Sequence, residues 1–154
     1  MESCIFCKIL TGESPSHKIW ENENFLAFLS IFPNTEGVTV VIPKKHYTSY
    51  IFDLSDDVMI NLMKATKTVA KILDNYFEDV ARTGLVFEGY GVNHVHSKLF
   101  PMHGTGHLKQ WVECKSKVDK YFETYEGYIS SHDHKRADDD ALKNLAKKII
   151  NYIS

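Results

Sequence analysis

The sequence contains no apolar run that approaches the ~20 residues of a membrane-spanning helix. Its first residues, Met1 to Cys4, lack the basic region and apolar stretch of a signal peptide, so we expect no secretion signal. The chain also has no marked excess of either charge, because 18 Lys and Arg stand against 20 Asp and Glu. A formal net charge of -2 argues against a general attraction to nucleic acid or anionic membranes, and we predict neither as a partner. An anionic ligand therefore has to be held by a local cluster of residues.

Cysteine is scarce, with only Cys4, Cys7 and Cys114 in 154 residues. An odd number of cysteines, in a chain for which we expect no secretion signal, argues against a disulfide framework and for a reducing compartment. We therefore predict a cytoplasmic protein. The sequence also lacks internal repeats, low-complexity tracts and linkers. We predict one domain over residues 1–154, which is long enough to bury a substantial core.

Hydrophobic patterning predicts both strands and helices. The predicted strands are 19–21, 25–29, 38–42, 82–88 and 94–100, with an additional strand at 121–129. Apolar residues recur at helical spacing between Asp56 and Phe77, which predicts a helix of about 22 residues with a wide apolar face. A second amphipathic helix is predicted to begin at the three acids of residues 138–140. We expect the long helix to cover a sheet.

Polar side chains occupy every second position of the run His94-Val95-His96-Ser97-Lys98. Because successive side chains of a strand point to opposite faces, His94, His96 and Lys98 would share one face. Two imidazoles and an ammonium are poor core material, since buried polar groups cost free energy unless they are paired. The run therefore indicates either the floor of a polar site or a sheet face exposed to solvent, and alternation alone does not distinguish them.

Cys4 and Cys7 have a spacing that allows two thiols to bind one metal ion. Two thiolates leave a tetrahedral zinc two ligands short, so the motif by itself is half a site. A redox pair and two small buried hydrophobic residues are the other interpretations. The redox interpretation is disfavoured, because the motif does not follow a strand and open a helix in a βαβ unit.

Four further histidines follow the histidine run in segments rich in polar residues or glycine. His132 and His134 could bind metal together, but a solvated loop is the favoured interpretation of that segment. His103 and His107 lie near Gly104 and Gly106, and we predict no function for them from the sequence.

The run from His94 to Phe100 resembles the His-φ-His-φ-His-φ-φ signature of the histidine-triad (HIT) superfamily of nucleotidyl hydrolases and transferases, where φ is hydrophobic. Three further segments resemble that family in the same order: Cys-Ile-Phe-Cys-Lys at residues 4–8, Val-Val-Ile-Pro-Lys-Lys-His at 40–46, and Gly-Tyr-Gly-Val-Asn at 89–93. The resemblance covers about residues 4–103 and leaves 104–154 as a C-terminal extension. With the predicted elements it implies an α+β, HIT-like fold: an antiparallel sheet of about five strands covered by one long helix, with an added C-terminal strand and helix.

In HIT enzymes the middle histidine attacks the α-phosphorus of a nucleotide and forms a nucleotidyl-histidine intermediate, which water or another acceptor resolves. The resemblance assigns this catalytic role to His96, and an imidazole suits it because it is nucleophilic when neutral near pH 7. Lys98 would stabilise the phosphoryl oxygens as charge develops, together with backbone amides. By the same resemblance, the nucleotide-binding residues are Ile5, Phe6, Phe28, Ser30, Tyr90, Gly91 and Asn93.

Three residues depart from the family's pattern. Lys98 replaces the third histidine, and its ammonium would donate a proton easily only if its pKa were depressed. Val38 replaces a histidine that many members carry after the glycine of the preceding strand. Ser30 stands where an acid or amide commonly holds the ribose hydroxyls, so ribose binding is expected to differ. The galactose-1-phosphate uridylyltransferase branch also lacks a third histidine, so the Lys98 replacement does not by itself exclude catalysis.

The resemblance also supplies ligands that would complete the cysteine pair. In some HIT relatives and in the uridylyltransferase branch, such a pair binds zinc with a later histidine and the first histidine of the signature. The resemblance thus implies a structural zinc site formed by Cys4, Cys7, His46 and His94. The alternative is that His46 is a loop residue and that His94 is hydrogen-bonded without a metal.

Two classes of function follow from these residues. The first is an enzyme, a nucleotidyl hydrolase acting on a dinucleoside polyphosphate or a nucleoside phosphoramidate, with a transferase or phosphorylase as a close variant. The second is a nucleotide-binding sensor module without efficient turnover, which the replacements at Lys98 and Val38 motivate. The presence of His96 favours the enzyme. HIT proteins commonly dimerise through the long helix and a neighbouring sheet edge, so the resemblance also implies a homodimer.

Overall fold

The computed structural model describes residues 4–108, 110–113, 121–125 and 134–153. Within these ranges the chain forms three α-helices, five strands and one short 3₁₀ helix. In chain order they are α1 (Ile5–Thr11), β1 (His17–Glu21), β2 (Phe25–Leu29), β3 (Thr39–Pro43), the 3₁₀ helix (Ile51–Asp53), α2 (Asp56–Tyr76), β4 (Thr83–Val86), β5 (Ser97–Pro101) and α3 (Asp139–Ile153). None of these helices is long and apolar enough to cross a membrane.

The five strands form one antiparallel sheet in the order β1-β2-β3-β5-β4. The predicted α+β fold, with a five-stranded antiparallel sheet and one long helix, is therefore confirmed. The C-terminal helix is also present as α3. The predicted additional strand at 121–129 is not formed over its described part, residues 121–125, and residues 126–129 lie outside the described ranges.

The strand that contains part of the histidine run begins further along the chain than the alternation of residues 94–98 predicts. β5 begins at Ser97, so His94 and His96 immediately precede the strand. The reason lies in the backbone partners, because the amide of His94 donates to the Val92 carbonyl and that of Val95 donates to the Tyr47 carbonyl. The backbone of 94–95 is thus held by loops instead of a neighbouring strand.

One face of the sheet packs against α2. The buried residues of α2 are Leu62, Ala65, Thr66, Val69 and Leu73, which recur at helical spacing. They belong to a core that includes Ala27, Val41 and Leu99 of the sheet. The buried hydroxyls of Thr66 and Ser97 satisfy each other across this interface at 2.8 Å, so neither is left without a partner in the core.

The opposite face of the sheet is covered in part by α1. Phe6 packs there on a second cluster formed by Leu26, Phe28, Val40 and Ile42. This cover explains why β2 and β3 are buried at all five positions, since a strand covered on both faces shows no alternation.

The C-terminal helix α3 returns to the first strand of the sheet. The Asp138 carboxylate accepts a hydrogen bond from the Ala141 amide at 2.9 Å and so caps the helix. Just before the helix, the Ala137 amide donates to the Ile31 carbonyl at 2.8 Å. This contact attaches the extension to the loop that follows β2.

His103, for which the sequence predicts no function, links three loops at the end of the sheet. Its Nδ1 donates to the Asp79 carboxylate at 3.0 Å, and its Nε2 donates to the Glu36 carbonyl at 2.9 Å. The ring also meets Phe77 edge to face at 4.8 Å. Burial disfavours the charged ring, but the Glu36 carbonyl and the Asp79 carboxylate together raise the pKa of His103 above its ordinary value.

We expect this link to contribute stability that depends on pH. Because the folded pKa of His103 is raised, its contribution is complete below the unfolded pKa and is lost as pH rises through the folded pKa. Thermal unfolding of wild type and His103→Gln should therefore differ by a few degrees at pH 5.5 and by less at pH 8.5. The exposed His107→Gln is the matched control and should show no such convergence. A difference in unfolding temperature between wild type and His103→Gln that stays constant with pH would contradict the assignment of this pH dependence to His103.

Candidate active site and metal centre

A cavity of about 600 Å³ lies on the sheet face opposite α2, beside α1. Lys98 of β5 and Phe28 of β2 both pair with Val40, so these three residues form a row across its floor. The wall is largely apolar towards α1 and the loop after β2, and it is polar around His96, Lys98 and Glu88. An apolar wall with a few polar groups at one end is the usual form of a small-molecule site.

A second cavity of about 580 Å³ lies between the β1–β2 turn and α2. Its wall includes Lys44, Lys45 and Lys64, but among the described residues that line it there is no histidine or cysteine. The first cavity contains the predicted nucleophile, His96.

His96 is buried in the floor of the first cavity and has one defined tautomer. Its Nδ1 lies 2.8 Å from the His94 carbonyl oxygen, to which it donates, so the lone pair of the neutral ring is on Nε2. Burial lowers the pKa of His96; the His94 carbonyl opposes this shift, and the Lys98 ammonium adds to it. Phe6 contacts the ring edge to face at 5.2 Å. The result is a neutral, fixed imidazole at the cavity.

The structure excludes a solvent-exposed face for the two histidines of the run. His94 is fully buried and His96 is 6% exposed, and His96 lines the polar part of the first cavity. Lys98 lines the same cavity as His96, on the adjacent strand position of that face.

The structure brings most of the predicted nucleotide-binding residues to this one cavity. Those that line it are Ile5, Phe6, Phe28, Ser30, Tyr90 and Gly91. Asn93 does not line it; its side-chain oxygen instead accepts a hydrogen bond from the Ser49 amide at 3.1 Å. Asn93 thus connects the glycine-containing loop to the segment after β3, and its predicted contact with nucleotide has no support in this arrangement.

Several cavity residues were not predicted from the sequence. His17, Arg136 and Asp139 meet at the wall, where the Asp139 carboxylate pairs with His17 Nε2 at 2.9 Å and with Arg136 at 2.8 Å. Glu88 lines the polar end, and its carboxylate accepts a hydrogen bond from the Tyr125 hydroxyl at 2.7 Å. Arg136, Asp139 and Tyr125 belong to the extension, and no motif in the sequence relates that segment to the histidine run.

The four predicted metal ligands converge on one point next to the cavity. Cys4, Cys7, His46 and His94 each offer one ligand atom, and these atoms lie within 4.8 Å of one another. Cys4 and Cys7 are brought there by the start of α1, while His46 follows β3. The cluster can hold a metal ion.

The hydrogen bonds of His94 give it the tautomer that a ligand needs. Its Nε2 lies 2.9 Å from the Pro43 carbonyl oxygen and donates to it, so the lone pair of the neutral ring is on Nδ1. That nitrogen is the atom facing the sulfurs, at 3.6 Å from Cys4 Sγ and 3.7 Å from Cys7 Sγ. Burial also lowers the pKa of His94, which favours the neutral form.

The distances within the cluster fit a tetrahedral ion. Bonds of about 2.3 Å to sulfur and 2.0–2.1 Å to nitrogen place neighbouring ligand atoms about 3.5 Å apart. Three of the four separations between sulfur and nitrogen agree with this value: 3.3 Å for Cys7 and His46, and 3.6 and 3.7 Å from His94 to Cys4 and Cys7. Burial raises the pKa of the Cys7 thiol and the adjacent Cys4 raises it further, an effect that a bound cation would reverse.

The antiparallel α+β fold, with His96 at the floor of a cavity and His94 in the cluster beside it, is that of the histidine-triad class of proteins. The model of the HIT domain family matches residues 11–105, which is more than half of the chain. This chain belongs to the HIT domain family, as its motifs predict. The match ends before most of the extension, so Tyr125, Arg136 and Asp139 lie outside it.

Individual proteins show the same relationship. An uncharacterized HIT-like protein of Methanocaldococcus jannaschii is 39% identical over 118 residues, covering 73% of this chain and 90% of that protein. The adenosine 5′-monophosphoramidase of Saccharomyces cerevisiae is 34% identical over 122 residues, covering 77% of this chain and 75% of that protein. A solved Zn-bound histidine triad family protein of Mycobacterium smegmatis has a TM-score of 0.67 at 22% identity, covering 99% of this chain and 96% of that one, and shares the fold.

Proposed function

We propose that this chain is a nucleotide hydrolase that cleaves the bond between the α-phosphorus and its leaving group, with His96 as the nucleophile. The observation that carries the proposal is the hydrogen bond from His96 Nδ1 to the His94 carbonyl at 2.8 Å. It fixes a neutral tautomer whose Nε2 lone pair is available for attack in a cavity of about 600 Å³.

The proposed reaction has two steps. In the first, Nε2 of His96 attacks the α-phosphorus, a bond between nitrogen and phosphorus forms, and the bond to the leaving group breaks. The His94 carbonyl stabilises the positive charge that develops on the ring, because Nδ1 remains protonated and bonded to it. In the second step, water attacks phosphorus and displaces His96.

Two observations support a nucleoside phosphoramidate as the substrate class. The relative from Saccharomyces cerevisiae is named an adenosine 5′-monophosphoramidase. The cavity offers an apolar wall for a base next to α1, including Ile5, Phe6 and Phe28. A dinucleoside polyphosphate presents the same α-phosphorus to His96 and is the competing substrate.

Lys98 should act mainly on the phosphoryl group. It lines the cavity beside His96, and an ammonium interacts with phosphoryl oxygens as a point charge. We expect Lys98→Gln to lower kcat/KM by about 10²-fold, while Lys98→Arg keeps more of the activity because it retains the charge. Steady-state kinetics with adenosine 5′-monophosphoramidate would measure both. Equal losses in the two variants would show that charge is not what Lys98 contributes.

We also propose that Cys4, Cys7, His46 and His94 bind zinc. Two thiolates and two imidazoles are a closed tetrahedral set for zinc, and the solved relative from Mycobacterium smegmatis is described as Zn-bound. Zinc at this position would have a structural role. It would hold the start of α1 against His94, whose carbonyl orients His96.

The experiment that tests the hydrolase is intact-mass spectrometry after a brief quench without acid. Wild type, His96→Ala and the exposed-histidine control His107→Ala would each be mixed with adenosine 5′-monophosphoramidate or with diadenosine tetraphosphate. We expect an adenylyl adduct on wild type and His107→Ala, and none on His96→Ala. The substrate that gives the adduct and the faster product release identifies the class.

The other outcomes correspond to the alternative functions. An adduct that persists in water but is resolved by phosphate or another acceptor would indicate a transferase or phosphorylase. Nucleotide binding with neither adduct nor product on both substrates would indicate a sensor module and would contradict the hydrolase.

The proposal includes a homodimer. Ile60 and Met63 of α2 are exposed, β4 is an edge strand of the sheet, and Leu85 on it is exposed. An apolar helix surface beside an open sheet edge is a common site of association between two copies. Light scattering after size exclusion should give twice the chain mass for wild type and a lower mass for Met63→Glu.

A further inference from the structure

The second step of the proposed reaction needs a base that His96 cannot provide. Once Nε2 is bonded to phosphorus, it has no lone pair to accept a proton from the attacking water. Nδ1 carries a proton that it donates to the His94 carbonyl. The base must therefore be another group in the cavity wall, and this inference rests on the proposed function.

Among the described residues of the wall, a carboxylate beside His96 is the candidate for that base. Lys98 and Arg136 are cations, which do not accept a proton. His17 and Asp139 are bonded to each other at 2.9 Å, in a cluster that the extension completes. Glu88 is the other carboxylate in the wall, and it lies at the polar end with His96 and Lys98.

The sheet register, continued two residues beyond the ladder, places Glu88 opposite His96. Leu85 pairs with Leu99 and Val86 pairs with Lys98 in the antiparallel ladder between β4 and β5. Two residues beyond Val86 on the same face is Glu88, and two residues before Lys98 is His96. The ladder ends at Val86 and Lys98, and beyond it both Glu88 and His96 line the cavity.

A residue of the extension fixes the Glu88 carboxylate. The Tyr125 hydroxyl donates to Glu88 Oε1 at 2.7 Å, and its ring stacks on Tyr90 with centroids 6.4 Å apart. A carboxylate has about four acceptor positions, and the bond from Tyr125 occupies one of them and restricts its orientation.

We propose that Glu88 is the general base of the second step and that Tyr125 is the residue that positions it. Glu88 takes a proton from water as the water oxygen bonds to phosphorus. The bond between phosphorus and Nε2 breaks, and its electron pair returns to the ring, which leaves as neutral imidazole with Nδ1 still protonated. The proton on Glu88 then passes to solvent, and the nucleotide product is released.

The test separates formation of the adduct from its resolution. Rapid quench and intact mass would follow the adenylyl adduct on wild type, Glu88→Gln and Tyr125→Phe with adenosine 5′-monophosphoramidate. In Glu88→Gln we expect the first turnover to form the adduct, and its hydrolysis to slow by about 10²–10³-fold so that the adduct accumulates. Tyr125→Phe should slow hydrolysis by about tenfold. The exposed residues Glu23 and Tyr121 supply the controls Glu23→Gln and Tyr121→Phe, which should match wild type.

Hydroxylamine distinguishes a lost base from a damaged site. It attacks with its own lone pair and depends far less on a base than water does. Added hydroxylamine should therefore resolve the adduct at similar rates in wild type, Glu88→Gln and Tyr125→Phe. If it resolves the variant adducts as slowly as water does, the inference is overturned. Hydrolysis of the Glu88→Gln adduct at the wild-type rate would overturn it and leave the hydrolase intact, whereas absence of an adduct on wild type would overturn both.

Discussion

Replacing His96 with alanine should lower kcat for adenosine 5′-monophosphoramidate by about 10³-fold or more. The proposed reaction forms a covalent bond through Nε2, and alanine has no group that can form it. Nucleotide affinity should change much less, because Phe6 and Phe28 still provide the apolar wall. Steady-state kinetics together with calorimetric titration of AMP would measure the two effects separately.

The appropriate control for this variant is His107→Ala, since His107 is exposed and is not among the residues that line the cavity. Its kcat should remain within about twofold of wild type. If His96→Ala kept activity within tenfold of wild type, direct attack by water would be favoured and the covalent mechanism rejected.

Replacing Cys7 with serine should release the metal and destabilise the chain. Cys7 Sγ lies 3.3 Å from His46 Nδ1 and 3.7 Å from His94 Nδ1, so the cluster loses its most connected ligand. A metal ion whose free concentration is a thousand times its Kd for the folded chain contributes about 4 kcal/mol to the free energy of unfolding. We expect a loss of roughly that size in urea unfolding, with zinc content falling from one ion per chain to near zero by elemental analysis.

Cys114→Ser is the matched variant, because it removes a cysteine that is not a predicted ligand. It should keep one zinc ion per chain. A strong chelator should lower the free energy of unfolding of wild type to that of Cys7→Ser. It should leave the free energy of unfolding of Cys7→Ser unchanged. Wild type that contains no zinc, and whose stability the chelator does not change, would contradict the metal site.

The metal cluster and the nucleophile are joined through one residue. The His94 ring offers Nδ1 to the two sulfurs, while its backbone carbonyl accepts the proton of His96 Nδ1 at 2.8 Å. Loss of the metal should therefore also lower kcat, because the carbonyl that fixes the His96 tautomer is less well held.

The elements of the fold could be predicted where a periodic pattern corresponds to one buried face. α2 is an example, since its apolar residues face the sheet at helical spacing and its predicted and observed ranges differ by one residue. Residues 121–125 show the opposite case. Their aromatic composition is typical of a strand, but the Tyr125 side chain donates a hydrogen bond to Glu88 and stacks on Tyr90. Composition alone does not state which partner a side chain meets.

The site residues likewise divide into those that a local pattern predicts and those whose contacts form only in the folded chain. No local pattern joins Glu88 to Tyr125, which are 37 residues apart, or His17 to Asp139, which are 122 apart. Local pattern carries no information about pairs at such separations, since they meet only after the sheet has formed and the extension has packed on it. The motif that contains Asn93 predicts a contact with nucleotide, whereas its side-chain oxygen accepts a hydrogen bond from the Ser49 amide.

By itself, the sequence determined the family, the antiparallel α+β architecture and the residue types of the site, because each of these depends on short-range patterns of polarity and motif. The tertiary structure decided which tautomer His94 and His96 adopt, since that depends on the Pro43 and His94 carbonyls placed beside them. It also decided that the extension reaches the cavity, through contacts that form only when distant segments of the chain pack together.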